Sequence, residues 1–117
     1  MAISNHNGMT LLDLEPEGPR LGADLHVNDI LGEAFGADAD IVVLPVSRIE
    51  PAFFELRSGI AGEVFQKMEH YQRRLVILGD IAAEVEASKS LQDFVYETNR
   101  RGHHLFVPDR EAMLARL

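Results

Sequence analysis

One serine stands where a chemical switch could be built. The stretch "LRSGIAGEVF", residues 56–65, places Arg57, Ser58 and Gly59 at the start of an apolar helical pattern. We expect Ser58 at or next to the N-cap of this helix, because a serine oxygen accepts a hydrogen bond from a free backbone N–H there. A phosphate on Ser58 would add about 1.5–2 negative charges where helix N–H groups and Arg57 bind an anion. Arg57, Ser58 and Gly59 are thus a candidate regulatory site, and an ordinary capping serine is the alternative.

Three carboxylates and one amide offer a different chemistry. Asp80 ends an apolar strand pattern, at a position where α/β sheets commonly place ligand groups. Glu63, Glu97 and Asn99 could converge on it and supply paired carboxylates for acid–base work. The structural alternative is that Asp80 caps a turn and Glu97 pairs with a neighbour on its own helix. No catalytic residue is assigned, and these four residues stand as a candidate ligand site.

Other common sites lack their residues or their spacing. The chain has no cysteine, which excludes disulfides, thiolate nucleophiles and sulfur-ligated metals. His103 and His104 are adjacent in a strand pattern, so we expect them to point to opposite faces and not to share a metal. The other histidines lack ligand spacing, and neither a phosphate-binding glycine motif nor a nucleophile elbow occurs. We therefore expect no metal and no cofactor.

Composition indicates the class of protein. The 117 residues are 46% hydrophobic, which suits a single globular domain over residues 1–117. The net charge of −8, from 19 acidic and 11 basic residues, disfavours nucleic acid as a partner. No apolar run approaches the roughly 20 residues of a membrane helix, and no secretory signal is visible. The expectation is a cytoplasmic protein that binds neither nucleic acid nor membrane.

Strand patterns alternate with helical patterns along the chain. The apolar runs "DIVVLPV", "RLVILGD" and "HHLFVP" predict buried strands over Asp40–Val46, Arg74–Asp80 and His103–Pro108. Met9–Leu14 predicts a first strand and Arg20–Leu25 a weaker second one. The resulting order, ββαβαβαβα, predicts an α/β fold with a mixed sheet whose parallel central strands are covered by helices. We expect Asp40–Val46 and Arg74–Asp80 to be neighbouring parallel strands.

The longest helical pattern runs from Pro51 to about Gln72 and contains two glycines, which a helix interior disfavours. Either the helix restarts near Ser58, so that Gly59 and Gly62 mark its start, or the glycines let another backbone pack closely.

The other helices have predicted ends as well. Asn28 is the predicted N-cap of a helix that runs to about Phe35. Ser88 or Ser90 is the predicted N-cap of the next helix, with Ser90 and Asp93 at the spacing of a capping box, and Gly102 is its predicted C-terminal cap. Asp109 is the predicted N-cap of a final helix, which buries Met113, Leu114 and Leu117.

Two segments resemble a known bacterial family. "FFELRSGIAGEVFQKMEHYQRRLVILGD" and the later "SKSLQDFVYETNRRGHHLFV" lie within residues 53–107. They resemble domain of unknown function 4180, whose pattern contains Phe-Phe-x-Leu-x-Thr-Gly-x-Ala-Gly-Glu, Gly-Asp, Ser-Lys-x-Leu and Phe-x-Tyr-Glu-x-Asn. Ser58 replaces the threonine of that pattern, and His70 replaces an asparagine. The family has no established activity, so the resemblance implies kinship and no particular chemistry.

The element order is similar to that of STAS domains, the fold of anti-sigma-factor antagonists. In those domains a serine or threonine precedes a glycine at the start of a helix, and its phosphorylation switches partner binding. "SGIAGEV", residues 58–64, resembles this helix start. The resemblance implies a non-enzymatic regulatory or protein-interaction module whose protein partner is unknown. The alternative is a small-molecule enzyme or binder that uses the carboxylates near Asp80.

Self-association is a further expectation. We expect Phe53, Phe54 and Phe106 to contribute to an apolar patch on the surface of this small acidic protein. Such patches are commonly covered by another protein surface, and most contacts between identical chains have two-fold symmetry. The sequence therefore predicts a homodimer.

Overall fold

A mixed sheet forms the centre of the computed structural model, which describes residues 2–117. The described strands lie side by side in chain order. They are β1 Ala2–His6, β2 Met9–Asp13, β3 Ile41–Pro45, β4 Arg74–Leu78 and β5 Leu105–Val107. β1 pairs antiparallel with β2, and the other neighbours pair in parallel. The predicted α/β class and the parallel pairing of β3 with β4 are confirmed, and Val43 and Ile77 in these strands are each 1% exposed.

Helices connect the parallel strands, and one more helix follows the last strand. In the described chain they are α1 Val27–Gly36, α2 Ile60–His70, α3 Ala82–Ala87, α4 Lys89–Arg101 and α5 Arg110–Arg116, with short 3-10 turns over Val46–Arg48, Pro51–Phe54 and Leu56–Ser58. This order agrees with the predicted alternation, except that two helices, α3 and α4, connect β4 to β5. None of the helices described here is long and apolar enough to cross a membrane.

The two faces of the sheet carry different cores. Side chains alternate along β3, so Val42 and Leu44 pack with α1, α2 and α4, while Ile41 and Val43 pack with α5. The α5 face is aliphatic, and the fully buried Met113 covers it. The opposite face contains an aromatic cluster made of Phe53, Phe54, Phe65, Phe94 and Phe106.

The predicted surface patch of phenylalanines is wrong. Phe53, Phe54 and Phe106 are 0%, 8% and 6% exposed, respectively. Phe53 packs edge-to-face on Phe54 and on Phe65, and Phe106 packs in the same way on Phe65. Phe53 and Phe54 are buried because the 3-10 turn Pro51–Phe54 packs them against α2, and Phe106 is buried on strand β5.

The predicted second strand, Arg20–Leu25, is also wrong. Leu21 makes isolated bridges to Leu25 and Ile49, and β2 pairs instead with β1, for which no strand is predicted. Asn7 and Gly8 form the two-residue turn between them, with φ of +51° and +80°. Asn-Gly is strongly favoured in such hairpin turns because both central residues need positive φ. The signal for β1 was therefore present in the sequence.

The N-cap of α1 is His26 and not the predicted Asn28. Nδ1 of His26 accepts a hydrogen bond from the N–H of Asn28 at 3.1 Å, and the Asp29 carboxylate accepts one from the N–H of His26 at 2.9 Å. This reciprocal pair is a capping box in which an imidazole nitrogen replaces the usual side-chain oxygen. The prediction failed because histidine is not among the preferred N-cap residues.

The other helix ends agree better with their predictions. Ser88, of the two serines considered, caps α4, and its hydroxyl accepts from the N–H of Leu91 at 3.2 Å. Gly102 ends α4 in the left-handed conformation with φ of +77°. Asp109 caps α5. Within α5 and the residue after it, Met113 is fully buried as predicted, whereas Leu114 and Leu117 are partly exposed.

Candidate functional site

The helical region predicted over residues 51–72 is divided, and a true helix begins only at Ile60. Gly59 is the N-cap of α2 with φ of +79°, a conformation that glycine adopts far more readily than other residues. A Cβ placed on Gly59 or Gly62 would meet no described atom within 4 Å. The predicted helix restart is thus confirmed and the close-packing explanation is wrong. Nothing in the described structure explains Gly62.

Ser58 is exposed and lies directly before this N-cap. Its hydroxyl donates to the carbonyl oxygen of Ala52 at 2.8 Å and accepts from the N–H of Ile60 at 3.2 Å. The side chain therefore joins the 3-10 turn Pro51–Phe54 to Ile60, the first residue of α2. Arg57 is exposed beside it. Because one hydroxyl makes both bonds, a modification of this oxygen removes the donated bond and changes how the turn is held.

Asp80 and Glu63 each have a local partner. Oδ1 of Asp80 accepts from the N–H of Ala82 at 2.9 Å, which makes Asp80 a cap for the turn before α3. Oε1 of Glu63 lies 3.7 Å from Nε2 of His26, so these two side chains join the first turn of α2 to the N-cap of α1. Both carboxylates are exposed, and their contacts are those of helix ends.

Glu97 and Asn99 make structural contacts within and beside α4. Glu97 pairs with Arg100, with 3.1 Å between Oε2 and Nε, and this hydrogen bond lowers the pKa of the Glu97 carboxyl. The amide nitrogen of Asn99 donates to the carbonyl of Phe106 at 3.1 Å, and its oxygen accepts from the N–H of the same residue at 2.8 Å. Asn99 thus fastens α4 to β5.

The four residues of the candidate ligand site do not come together. Asp80 follows the carboxyl end of β4. Glu97 lines a cavity with His103 and His104, which precede the amino end of β5. Because β4 and β5 are parallel, Asp80 and Glu97 lie towards opposite edges of the sheet. Paired carboxylates for acid–base work are therefore not formed from Asp80 and Glu97.

The cavity that contains Glu97 lies between α2, α4 and the segment before β5, and we call it the α2–α4 cavity. It is partly open, with a volume of about 140 Å³. The phenylalanine rings and histidines supply its walls, and an ion pair of Glu69 in α2 with Arg101 in α4, 3.1 Å apart, lies half-exposed at its side. Its lining residues are Phe65, Glu69, Phe94, Glu97, Thr98, Arg101, His103 and His104.

His104 is the most unusual polar residue of this cavity. Its side chain is buried, with 6% of the residue exposed, and its ring stacks on that of Phe65 with 4.8 Å between centroids. Nδ1 accepts from the N–H of Leu75 at 3.0 Å, so the ring proton is on Nε2. Nε2 makes no hydrogen bond of standard geometry among residues 2–117, although the backbone of Phe65 acts on the ring as a weak acceptor that raises its pKa slightly against the larger effect of burial. Burial, together with the neighbouring His103, lowers the pKa of His104 to about 4, and the ring is neutral at pH 7.

The expectation that His103 and His104 point to opposite faces of a strand is wrong. β5 begins only at Leu105, so the two histidines precede the strand and do not alternate between its faces. Their ring centroids are 4.5 Å apart, and both line the α2–α4 cavity. Nε2 of His103 is also buried without a partner in the described part of the chain. No group of three histidine or carboxylate side chains within residues 2–117 is placed to hold a metal ion.

Sequence reasoning missed this cavity. Its residues come from α2, α4 and the segment before β5, so no local spacing marks them as a group. The available signal was a pair of histidines next to an apolar strand in a chain whose other strong apolar runs contain none. That signal indicates buried polar groups, but it does not identify what they face.

The comparisons with known proteins concern the family and not the chemistry. A family model described as "Domain of unknown function (DUF4180)" matches residues 6–117. No curated protein matches the chain, and no solved structure does.

Proposed function

Since the chain belongs to the DUF4180 family, which supplies a kinship and no chemistry, we propose from the geometry of the Ser58 turn that it is a non-enzymatic regulatory module. In this proposal Ser58 is phosphorylated, and the modification switches binding of a protein partner. The observation that carries the proposal is the exposed Ser58 hydroxyl, which makes one donated and one accepted hydrogen bond at the start of α2.

The fold arrangement supports the same class of function. The order of strands and helices is ββαβαβαβα, with the link from β4 to β5 divided into α3 and α4. Ser58 precedes a glycine N-cap on the helix that follows β3, a buried central strand. This placement is similar to the switch serine of STAS domains, and on this ground we propose a STAS-like bacterial module. Fold likeness alone does not give function, so the proposal depends on the chemistry of Ser58.

A phosphate on Ser58 would change the forces on this turn. A phosphoserine oxygen cannot donate to the carbonyl of Ala52, and about 1.5–2 negative charges would repel that carbonyl oxygen. The same charges would be attracted to the N–H of Ile60 and to Arg57. The modified turn would therefore move away from Ala52 and towards the first turn of α2, which alters the surface that residues 51–59 present.

An open groove beside the turn offers a place for the partner. Its volume is about 260 Å³, and it combines apolar and polar side chains. A phosphate on Ser58 would add negative charge next to this groove, so a partner that binds one form of the turn would lose affinity for the other. The groove is lined by Phe54, Glu55, Leu56, Arg57, Ser88 and Ser90.

The test compares Ser58→Asp and Ser58→Ala as full-length baits in cells of the source organism. Ser47 provides a matched control, because its exposed hydroxyl also donates to a backbone carbonyl, that of Pro16, at 2.6 Å. We expect Ser58→Asp to change the recovery of at least one protein about tenfold, as a shift of ~1.4 kcal/mol gives. Ser58→Ala should recover the same proteins as the chain without a phosphate on Ser58. Ser47→Asp should recover the same proteins as the chain without any substitution.

Two results would reject the switch. One is unchanged recovery with both Ser58 variants, which then act only on stability through the hydrogen bonds of the Ser58 hydroxyl, worth about 1 kcal/mol. The other is an equal effect of Ser47→Asp and Ser58→Asp, because this would trace the change to added charge anywhere on the surface. Mass spectrometry of the chain purified from its own cells should also find a phosphate on Ser58.

Self-association stays a proposal, and the edge strand β1 is the surface that supports it. β1 is an outermost strand of the sheet and contains no Lys or Pro. Its residue Ile3 is 57% exposed. Unprotected edges of this kind pair with other strands, and a second copy of β1 would pair antiparallel about a two-fold axis. We expect Ile3→Lys to lower the mass measured by light scattering, with Phe35→Lys, also at an exposed site, as control. A monomeric unmodified chain contradicts the proposal.

A further inference from the structure

We propose that the cavity beside Arg48 binds a free amino acid with an apolar side chain, a zwitterion that carries a carboxylate and an ammonium group on one carbon. This cavity, here called the Arg48 cavity, has a volume of about 300 Å³. It lies beside the carboxyl ends of β2 and β3, between the loop after β2, the 3-10 turn Val46–Arg48 and α1. Ser58 is not among its lining residues, so the inference does not depend on the Ser58 switch.

A buried positive charge lies at the wall of this cavity. Arg48 lines the cavity although only 8% of the residue is exposed. Nε donates to the carbonyl oxygen of Pro19 at 2.6 Å, and Nη1 donates to that of Glu15 at 2.9 Å. Within residues 2–117, no ion pair includes Arg48. Burial of a charge without an opposite charge is costly, so the guanidinium favours an anionic group in the cavity.

One nitrogen of this guanidinium is available to a ligand. Nη2 makes no hydrogen bond in the described part of the chain, and it is not among the buried atoms without a partner there, so it is accessible. The group is held in place because Gly18 lies against it, and a Cβ on Gly18 would be 2.9 Å from Cζ of Arg48. A carboxylate is the strongest acceptor for such a fixed donor, since charge and hydrogen bond act together. The cavity therefore selects a ligand with a carboxylate.

Carboxylates around the same cavity select a positive group on that ligand. Glu17 lies in the loop after β2, and Asp29 and Glu33 lie four residues apart on one face of α1. All three are exposed, and the carboxylates of Glu17 and Glu33 make no hydrogen bond or ion pair within the described residues. These charges repel a simple anion and attract an ammonium group. A ligand that carries both charges meets Arg48 with one and the acidic side chains with the other.

Apolar side chains form the remaining wall. Leu14 and Leu25 are partly buried and pack against the hydrophobic core, and both line the cavity together with Pro19. The volume of about 300 Å³ is about twice the roughly 150 Å³ of an engineered cavity that binds benzene. A molecule the size of leucine therefore fits, with its hydrocarbon chain against these residues and its charged groups towards Arg48 and α1.

The first experiment titrates the full chain with three molecules of the same carbon skeleton and follows backbone amide signals by NMR. Leucine has both charges, 4-methylpentanoate lacks the ammonium group, and leucinamide lacks the charged carboxylate. We expect saturable leucine-induced shifts centred on Gly18, Leu25 and Glu33. Each of the other molecules should bind about tenfold more weakly, the worth of one charged hydrogen bond. Absence of saturable leucine shifts, shifts centred elsewhere, or equal binding of leucine and either analogue would overturn the proposal.

A double variant tests the acidic side of the cavity. Glu17→Gln with Glu33→Gln removes both charges and keeps the side-chain shapes. Glu84→Gln with Glu86→Gln is the matched control, because these residues are exposed on α3 and outside this cavity. In the unmodified chain and the control, 4-methylpentanoate should bind about tenfold more weakly than leucine, and in the cavity variant this difference should fall to about twofold. An undiminished difference in the cavity variant would reject the ammonium site.

Arg48→Gln tests the carboxylate contact, since it removes the positive charge and keeps an amide donor for the carbonyl of Pro19. The readout is the ratio of the leucinamide dissociation constant to that of leucine, because changes in cavity shape affect both molecules. This ratio should be about ten in the unmodified chain and about one in the variant. A variant ratio equal to that of the unmodified chain would reject Arg48 as the carboxylate contact. If the variant does not fold, as judged by circular dichroism, the ratio in the unmodified chain decides alone, because about ten supports the contact and about one rejects it.

Discussion

The parallel strands β2 to β5 begin along one side of the sheet, here called the amino edge, and end along the opposite side, the carboxyl edge. Polar groups at these two edges differ in their hydrogen bonding. At the carboxyl edge, Ser58 and Asp80 are exposed, and each makes hydrogen bonds to nearby backbone groups. At the amino edge, His104 is buried, and its Nε2 makes no hydrogen bond of standard geometry in the part of the chain that the structure describes. The carboxyl edge is the usual place for ligands in α/β sheets. Within residues 2–117, the buried side-chain nitrogens without a hydrogen-bond partner precede β4 and β5 and so lie at the amino edge.

The difference shows that the hydrogen-bond partners of a side chain indicate its role better than its residue type does. Asp80 has the residue type and strand position of a ligand group, yet its oxygen caps a turn. His104 directly precedes β5, whose sequence predicts an ordinary buried strand. The ring is buried, and its Nε2 makes no hydrogen bond of standard geometry within the described residues. At the Ser58 turn, function would therefore require a change such as phosphorylation. At the amino edge, the buried His104 ring is held in place by the N–H of Leu75 and by stacking on Phe65.

The first prediction, with the largest effect, compares the buried middle of α2 with its start. Phe65 is 7% exposed and contacts the rings of Phe53, Phe94 and His104. Phe65→Ala should lower the free energy of unfolding by about 3–5 kcal/mol. Ile60→Ala, at the partly exposed start of the helix, should lower it by about 1 kcal/mol. Urea unfolding measures both, and equal losses would show that the middle and the start of α2 are packed alike.

The second prediction concerns pH and belongs to the amino edge. Burial lowers the pKa of His104 from 6.5 to about 4, so between these values the unfolded chain binds more protons than the folded one. Stability should therefore fall as pH drops from 6.5 to 4, by about 3 kcal/mol from this residue. His103, Glu69 and Arg101 also act on this pKa, each more weakly than burial.

His104→Asn isolates that contribution from the carboxyl groups that titrate in the same range. Urea unfolding of the variant and the unmodified chain at a series of pH values should give a smaller slope for the variant between pH 4 and 6.5. Above pH 6.5 the two slopes should agree. Parallel stability curves over the whole range would show that His104 is not held neutral by burial.

The smallest effects distinguish the two glycines at the carboxyl edge. Gly59→Ala forces a side chain into the left-handed conformation, with φ of +79°, and should cost about 1 kcal/mol. Gly62→Ala lies within α2, and its Cβ would meet open space in the described structure, so it should stabilise by about 0.5–1 kcal/mol. Thermal unfolding should show shifts of opposite sign. A loss in both variants would mean that Gly62 also has a packing role.

Elements with local signals could be predicted from the amino-acid sequence. β3 and β4 are apolar throughout, which is typical of strands covered on both faces. Ser88, Gly102 and Asp109 predicted helix ends because a cap involves hydrogen bonds to residues only a few positions away. The Asn-Gly turn before β2 carried an equally local signal. The position of Ser58 before α2 could be predicted for the same reason.

Long-range packing determines which polar groups face each other and which phenylalanines are covered, and local patterns did not predict either. The separation of Asp80 from Glu97 follows from the parallel direction of β4 and β5, and the burial of Phe53 follows from the turn that folds it under α2. The cavity at His104 exists because α2 and α4 pack side by side over the sheet without filling the space before β5. Packing brings together side chains far apart in sequence, and local periodicity contains no information about that.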